Sequence, residues 1–146
     1  MYGNIDLVLS PGCDAGADIL FVVDISGSVR HEHFPEVKNF LADIVDEFEF
    51  SQTRDDKTQV SVITFDSEAR VEFYLNEYDT KQDVQNAIQR IRYRGGHTNI
   101  PAAIELAMFE VGLLCHITNS TRYIHVCHDM RGTLIKKKFT IKIPLK

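Results

Sequence analysis

An α/β fold of the doubly wound kind is expected, with a mostly parallel sheet, one antiparallel edge strand and helices on both faces. Two observations predict it. Residues 19–23 are five consecutive apolar positions, too short for a helix and unbroken in the way of a strand buried on both faces. Beyond them the apolar period switches repeatedly between the two-residue step of strands and the three- and four-residue steps of helices, and that alternation builds parallel sheets with crossover helices. A chain of 146 residues suits one domain with a real core, and 44% apolar with 25% charged residues reads as globular. No apolar run approaches the roughly 18 to 20 residues that cross a bilayer.

Asp24 closes the first strand, and Ser26 and Ser28 follow it around Gly27, which permits a sharp turn. The turn gathers three oxygen-bearing side chains round one point. Hard cations such as Mg²⁺ prefer that donor set, whereas zinc calls for His or Cys and a phosphate cradle for more glycines and a lysine. Phe34, Val37, Phe40, Leu41, Ile44, Val45 and Phe48 then recur at helical steps, with Pro35 in a first turn that tolerates it, so residues 33–48 are a helix. Its N-terminus lies beside the oxygen cluster and mildly opposes a cation, which makes the Asp24 charge necessary there. Residues 51–57 are a polar connection. Gln59–Phe65 reads as a second strand, and Ala69, Val71, Phe73 and Leu75 alternate with Arg70, Glu72 and Tyr74 as a third with one solvated face. The short Asp66-Ser67-Glu68 link makes that third strand an antiparallel edge. Val84, Ala87, Ile88 and Ile91 mark a helix over residues 80–92, broken by Gly95-Gly96, and a third helix starts near Asn99 with Pro101 in its first turn. Ligands of such sheets collect at the carboxyl ends of strands beside the topological switch point, a rim that Asp24 and Thr98 can both reach.

Asp24-Ile25-Ser26-Gly27-Ser28 after an apolar strand resembles the metal-ion-dependent adhesion site (MIDAS) of von Willebrand factor type A domains, also called integrin I-like domains. Gly95-Gly96-His97-Thr98-Asn99, about 70 residues further on, is similar to the second loop of that site. The resemblance is clear over residues 17–112 and is to matrix modules such as those of matrilins and collagen VI. It implies that Asp24, Ser26, Ser28 and Thr98 hold Mg²⁺, or Mn²⁺ or Ca²⁺ in its place, directly or through water, that a third-loop aspartate joins them, and that the Asp-bearing strand is central. Asp129 stands at about the right distance to be that aspartate. Against it, His125 and His128 interrupt a strand that should be buried on both faces, where an unpartnered imidazole costs about 1 to 3 kcal/mol, and Met130 replaces the expected glycine. A place for Asp129 in a divergent tail is the competing expectation. The chain thus divides into an N-terminal extension (1–16), the domain (17–130) and a basic tail (131–146). The family's last strands are expected to be absent, leaving an open edge beside the fourth strand.

The formal charge of −5 hides an asymmetry. Arg131, Lys136, Lys137, Lys138, Lys142 and Lys146 give the tail +6 without an acid, so residues 1–130 carry ten bases against 21 acids, a net −11. An acidic body argues against nucleic acid as a partner and suits cations. The tail reads as solvated, with contact to the acidic body or to an anionic partner as the alternative. Cys13, Cys115 and Cys127 cannot all pair within one chain, and the sequence leaves the choice open. Met1 to Pro11 has neither a basic start nor a long apolar segment, so no signal peptide is read. The resemblance nevertheless implies an extracellular setting, and the chain is expected to be a fragment of a longer secreted protein.

A divalent cation held by one carboxylate and three hydroxyls keeps positive charge and bound water, which a partner's Asp or Glu can displace. The expected function is therefore non-enzymatic, metal-dependent adhesion to a protein ligand, a matrix protein or collagen by the resemblance. One rival is an Asp-dependent phosphotransferase with Asp24 as nucleophile, which needs a second carboxylate where Ser26 stands. Another is a truncated interaction module whose metal site is silent. His31 and His33 read as a solvated cap region and His97 as a variable loop position. His116, His125 and His128 with Cys115 and Cys127 fit no familiar zinc spacing.

Overall fold

The computed structural model describes residues 18–48, 50, 58–115, 122–128 and 137–143, with side chains described up to Glu110. Its strands are β1 (Asp18–Asp24), β2 (Gln59–Phe65), β3 (Ala69–Phe73), β4 (Arg122–His128) and β5 (Lys137–Ile143); its α-helices are α1 (Phe34–Asp46), α2 (Lys81–Arg90) and α3 (Ile100–Cys115). One sheet runs in the order β3-β2-β1-β4-β5. β1 is central and pairs in parallel with β2 on one side and β4 on the other, as the unbroken apolar run requires of a strand with no solvated face. All seven of its residues are buried.

Alternate residues of β1 face two different cores. Ile19, Phe21 and Val23 pack with Leu41, Ile44 and Val45 of α1 and with Val84, Ala87 and Ile88 of α2. Leu20 and Val22 join Ile63 and Phe65 of β2 against Ala103 and Ala107 of α3. The fold is thus α/β with helices on both faces, as the alternation of periods predicts. A single 3₁₀ turn (His31–His33) leads into α1, whose Pro35 occupies the first turn where no N–H partner is lost. Thr80 caps α2 by accepting from the Asp83 N–H at 3.1 Å.

β3 is the antiparallel edge expected from the short Asp66–Glu68 link, but it departs from clean alternation. The pairing jumps from Ile63↔Val71 to Val62↔Phe73, leaving Glu72 as an extra residue on β3. In consequence Ala69 and Val71 pack toward α3, while Phe73 turns to the opposite core. The expected solvated face is partly filled in, although Tyr74 is exposed. Arg70 and Glu72 are half-buried because each is engaged, Arg70 with Asp66 and Glu68, and Glu72 with the Thr64 hydroxyl (2.6 Å) and Arg94 (3.6 Å).

The C-terminal expectation needs correction. Residues 137–143 of the basic tail form β5, which pairs antiparallel with β4 along its whole length, so the fourth strand's edge is covered and the sheet has a second antiparallel edge. The alternation of Phe139, Ile141 and Ile143 with Thr140 and Lys142 allows a short strand there, whereas its partner has no signal in the sequence. The extension 1–16 and Cys13 lie outside the described residues, as do the side chains of Cys115 and Cys127. Among the described residues no helix is long and apolar enough to cross a membrane.

Candidate metal centre

β1 ends in Asp24, a residue 1% exposed. Its Oδ1 accepts the Ser26 N–H at 2.8 Å, an Asx-type turn that swings the chain off the strand axis and returns Ser26 and Ser28 toward the strand end. At that turn Gly27 donates to the Gly96 carbonyl at 2.9 Å, and a Cβ on Gly27 would lie 3.3 Å from the same oxygen, so the close approach of the two loops favours glycine.

The second loop arrives from the end of α2. Gly95 and Gly96 take φ of 74° and 102°, a region that L side chains rarely adopt, and the reversal lets the Gly95 N–H reach the Ile25 carbonyl at 3.0 Å. Thr98 follows. Asn99 then caps α3, its Oδ1 accepting from the Ala102 N–H at 3.2 Å. Three hydroxyls converge as a result: Ser26 Oγ lies 2.7 Å from Ser28 Oγ and 2.8 Å from Thr98 Oγ1, and Ser28 Oγ lies 3.3 Å from Thr98 Oγ1. Asp24 and Ser26 are buried, whereas Ser28 and Thr98 are exposed, so the cluster is closed below and open to solvent above.

Four of the five site residues expected from the sequence are therefore gathered at the carboxyl end of β1. Asp129 lies outside the described residues. β4 ends one residue before it, and its last pairing with β1, Val23↔Cys127, falls one residue before Asp24. His97 is exposed in the second loop, and His31 packs its ring edge-on against Tyr93 with centroids 5.2 Å apart. Among the described residues no three His, Cys, Asp or Glu side chains gather, and the side chains of His116, His125 and His128 lie outside them.

Two supports of the site have no counterpart in the sequence reading. Tyr93 donates its hydroxyl to the Ser26 carbonyl at 3.2 Å while its ring packs on Phe34 of α1. The β2–β3 link, read only as a hairpin turn, holds both flanks of Thr98: the His97 N–H donates to Ser67 Oγ at 3.0 Å, and the Asn99 N–H donates to the Asp66 carbonyl at 2.8 Å. A tyrosine ahead of Gly-Gly was the one hint available, and backbone acceptors carry none.

A family profile described as "von Willebrand factor type A domain" matches residues 18–111. The chain is 43% identical over 82 residues to the collagen alpha-1(XX) chain of Homo sapiens, covering 56% of this chain and 6% of that one. It is 42% identical over 102 residues to vitrin of Bos taurus, covering 70% of this chain and 15% of vitrin. Among solved structures it is similar to proximal thread matrix protein 1 from the mussel byssus with a zinc-occupied MIDAS motif, at 37% identity and a TM-score of 0.60, covering 66% of this chain and 25% of that one. The chain thus spans only a small part of these relatives, which are collagen and matrix proteins. With the profile matching from β1 to α3, over the residues that build this rim, the chain belongs to the von Willebrand factor type A domain family.

Proposed function

We propose that the rim holds a divalent cation through Asp24, Ser26, Ser28 and Thr98, with Asp129 as a further candidate, and thereby binds an acidic side chain of a partner protein in the extracellular matrix. The observation that carries this reading is the convergence of three hydroxyls from two distant loops, one of them on Ser26, whose N–H holds a buried carboxylate. Their spacing supports a small ion. Adjacent ligands of an octahedral site with Mg²⁺–oxygen distances near 2.1 Å stand about 3.0 Å apart, against 2.7 to 3.3 Å between these hydroxyls. Ca²⁺ at about 2.4 Å would need about 3.4 Å, wider than all three separations. A ring of hydroxyls donating one to the next has similar spacing. The buried carboxylate held by the Ser26 N–H and the open side of the ring favour the ion.

When bound, the ion supplies a residual positive charge and exchangeable water positions to which a carboxylate is attracted. The chain's own part is to orient the donors. Asp24 is fixed by the Ser26 N–H, Ser26 by the turn, and Thr98 by the glycines before it and the helix cap after it. Ser28 and Thr98, neutral and exposed, leave the approach free of a carboxylate from either residue. Zinc, which occupies the MIDAS motif of the mussel protein, forms oxygen bonds of similar length, so the all-oxygen donor set rather than the spacing argues for Mg²⁺.

Thermal unfolding of chelator-stripped protein with and without millimolar Mg²⁺, beside Asp24→Ala, tests the reading. A midpoint raised by Mg²⁺ in the parent and not in the variant is expected, because a ligand of the native state stabilises it by mass action. Unfolding indifferent to Mg²⁺, Mn²⁺ and Zn²⁺ in the parent would overturn the metal site and leave a module that associates without it. The partner half is read by chelator-sensitive adhesion to matrix proteins, which should be lost in Asp24→Ala.

A further inference from the structure

The Thr98 loop is held from two sides, and the second side belongs to neither loop of the oxygen cluster. Gly95 and Gly96 bond to Ile25 and Gly27 of the first loop. Residues 97 and 99, immediately flanking Thr98, bond instead to the β2–β3 link: His97 N–H to Ser67 Oγ (3.0 Å), Asn99 N–H to the Asp66 carbonyl (2.8 Å) and the Asn99 side-chain amide to the Ser67 carbonyl (3.2 Å). The link is itself rigid. Asp66 and Glu68 exchange backbone and side-chain hydrogen bonds at 2.9 Å, and Arg70 braces both carboxylates. Gly96 also fits beneath it, since a Cβ there would come within 3.0 Å of Ser67 Oγ.

We infer that Ser67 is a positioning residue of the rim: its hydroxyl sets where Thr98 presents its oxygen, and through it the affinity of the site for its cation. This rests on the metal reading above. The geometry separates Ser67 from a fold-supporting role. It is exposed and belongs to the turn rather than to either core cluster, whereas its Oγ is the acceptor for the residue directly before Thr98. Losing that acceptor frees the His97 N–H to turn to water, and Thr98 then has one fixed flank instead of two.

The test is a Mn²⁺ titration followed by electron paramagnetic resonance on the parent, Ser67→Ala, Ser67→Thr and Asp24→Ala, with metal-free melting of each. Ser67→Ala should bind Mn²⁺ about threefold to tenfold more weakly while its metal-free midpoint falls by less than about 5 °C, and Ser67→Thr, which keeps the hydroxyl, should restore affinity. Parent-like affinity in Ser67→Ala, or equal weakening in Ser67→Thr, overturns the assignment and leaves the metal site standing. A metal-free midpoint lowered by more than about 5 °C would make Ser67 a structural residue and also overturn it. A parent that binds no Mn²⁺, or binds it as well as Asp24→Ala does, overturns the metal reading itself, and this assignment with it.

Discussion

Three glycines in the two loops do unequal work, and alanine substitution should rank them. Gly96 has φ of 102°, well beyond the left-handed helical well, and its added Cβ would meet Ser67 Oγ at 3.0 Å. Placing an L side chain at positive φ costs about 1 to 2 kcal/mol. Displacing Ser67 then costs its hydrogen bond from His97, about 0.5 to 1.5 kcal/mol. Alanine recovers about 0.4 to 1 kcal/mol by restricting the unfolded chain. The net expectation for Gly96→Ala is a loss of about 0.5 to 3 kcal/mol, read in urea denaturation of the metal-free protein. Gly95, at φ 74° with only ordinary contact to the Tyr93 ring at 3.7 Å, should lose less, about 0 to 1.5 kcal/mol. Gly27 has no positive φ, and its Cβ would press on the Gly96 carbonyl at 3.3 Å, so it should lose least in stability. A neutral Gly96→Ala, or a Gly27→Ala that costs more than either, would refute this account of how the loops meet.

Phe21→Ala empties a fully buried site where β1 meets α1 and α2, and a loss of about 3 to 5 kcal/mol should abolish a cooperative urea transition or move it far toward zero denaturant. Thr80→Ala removes the α2 cap, and about 1 kcal/mol of stability, while leaving any Mg²⁺-dependent shift in melting unchanged. Burial raises the pKa of the Glu110 carboxyl, so the stability of its protonated form is full below the unfolded-state pKa and is lost as pH rises through the folded-state value. Glu110→Gln should therefore gain on the parent, by less than about 0.5 kcal/mol, as urea midpoints are compared from pH 4 to about 7; parallel pH profiles would contradict it.

What could be read from the sequence was what is local. Residues 19–23 declare a buried central strand because no other element tolerates that run, and Asp24, Ser26 and Ser28 declare a site because a turn of five residues must gather them. Thr98 was legible because Gly95-Gly96-His97-Thr98-Asn99 resembles the second loop of the family's site and opens a helix after a breaker. Glu72 was not legible as a bulge, because the two-residue alternation continues through it in sequence while the structure turns Phe73 to the other core. β5 was legible in part: Phe139, Ile141 and Ile143 alternate with Thr140 and Lys142 as a short strand does, but its partner was not, because the ladder with β4 is made by backbone groups that carry no residue pattern. Ser67 and Tyr93 act on backbone groups, which are the same in every residue and so leave no pattern to find.

The charge distribution carries one more consequence for the proposed site. Residues 1–130 have a net −11, and the compensating +6 sits in residues 131–146, whose strand β5 is two places from β1 in the sheet. A cation is therefore drawn by a field larger than that of Asp24 alone, and salt should shorten its reach from about 30 Å at 0.01 M to about 8 Å at 0.15 M. Mg²⁺ affinity measured by calorimetry across that range of KCl should fall several-fold, whereas an affinity independent of salt would mean that only the contact with Asp24 matters. The same field opposes an acidic partner. Added salt should thus speed a carboxylate ligand's approach to the metal-loaded rim while it weakens loading of the metal, and the two effects, being opposite in sign, can be separated by saturating the protein with Mg²⁺ before the partner is added.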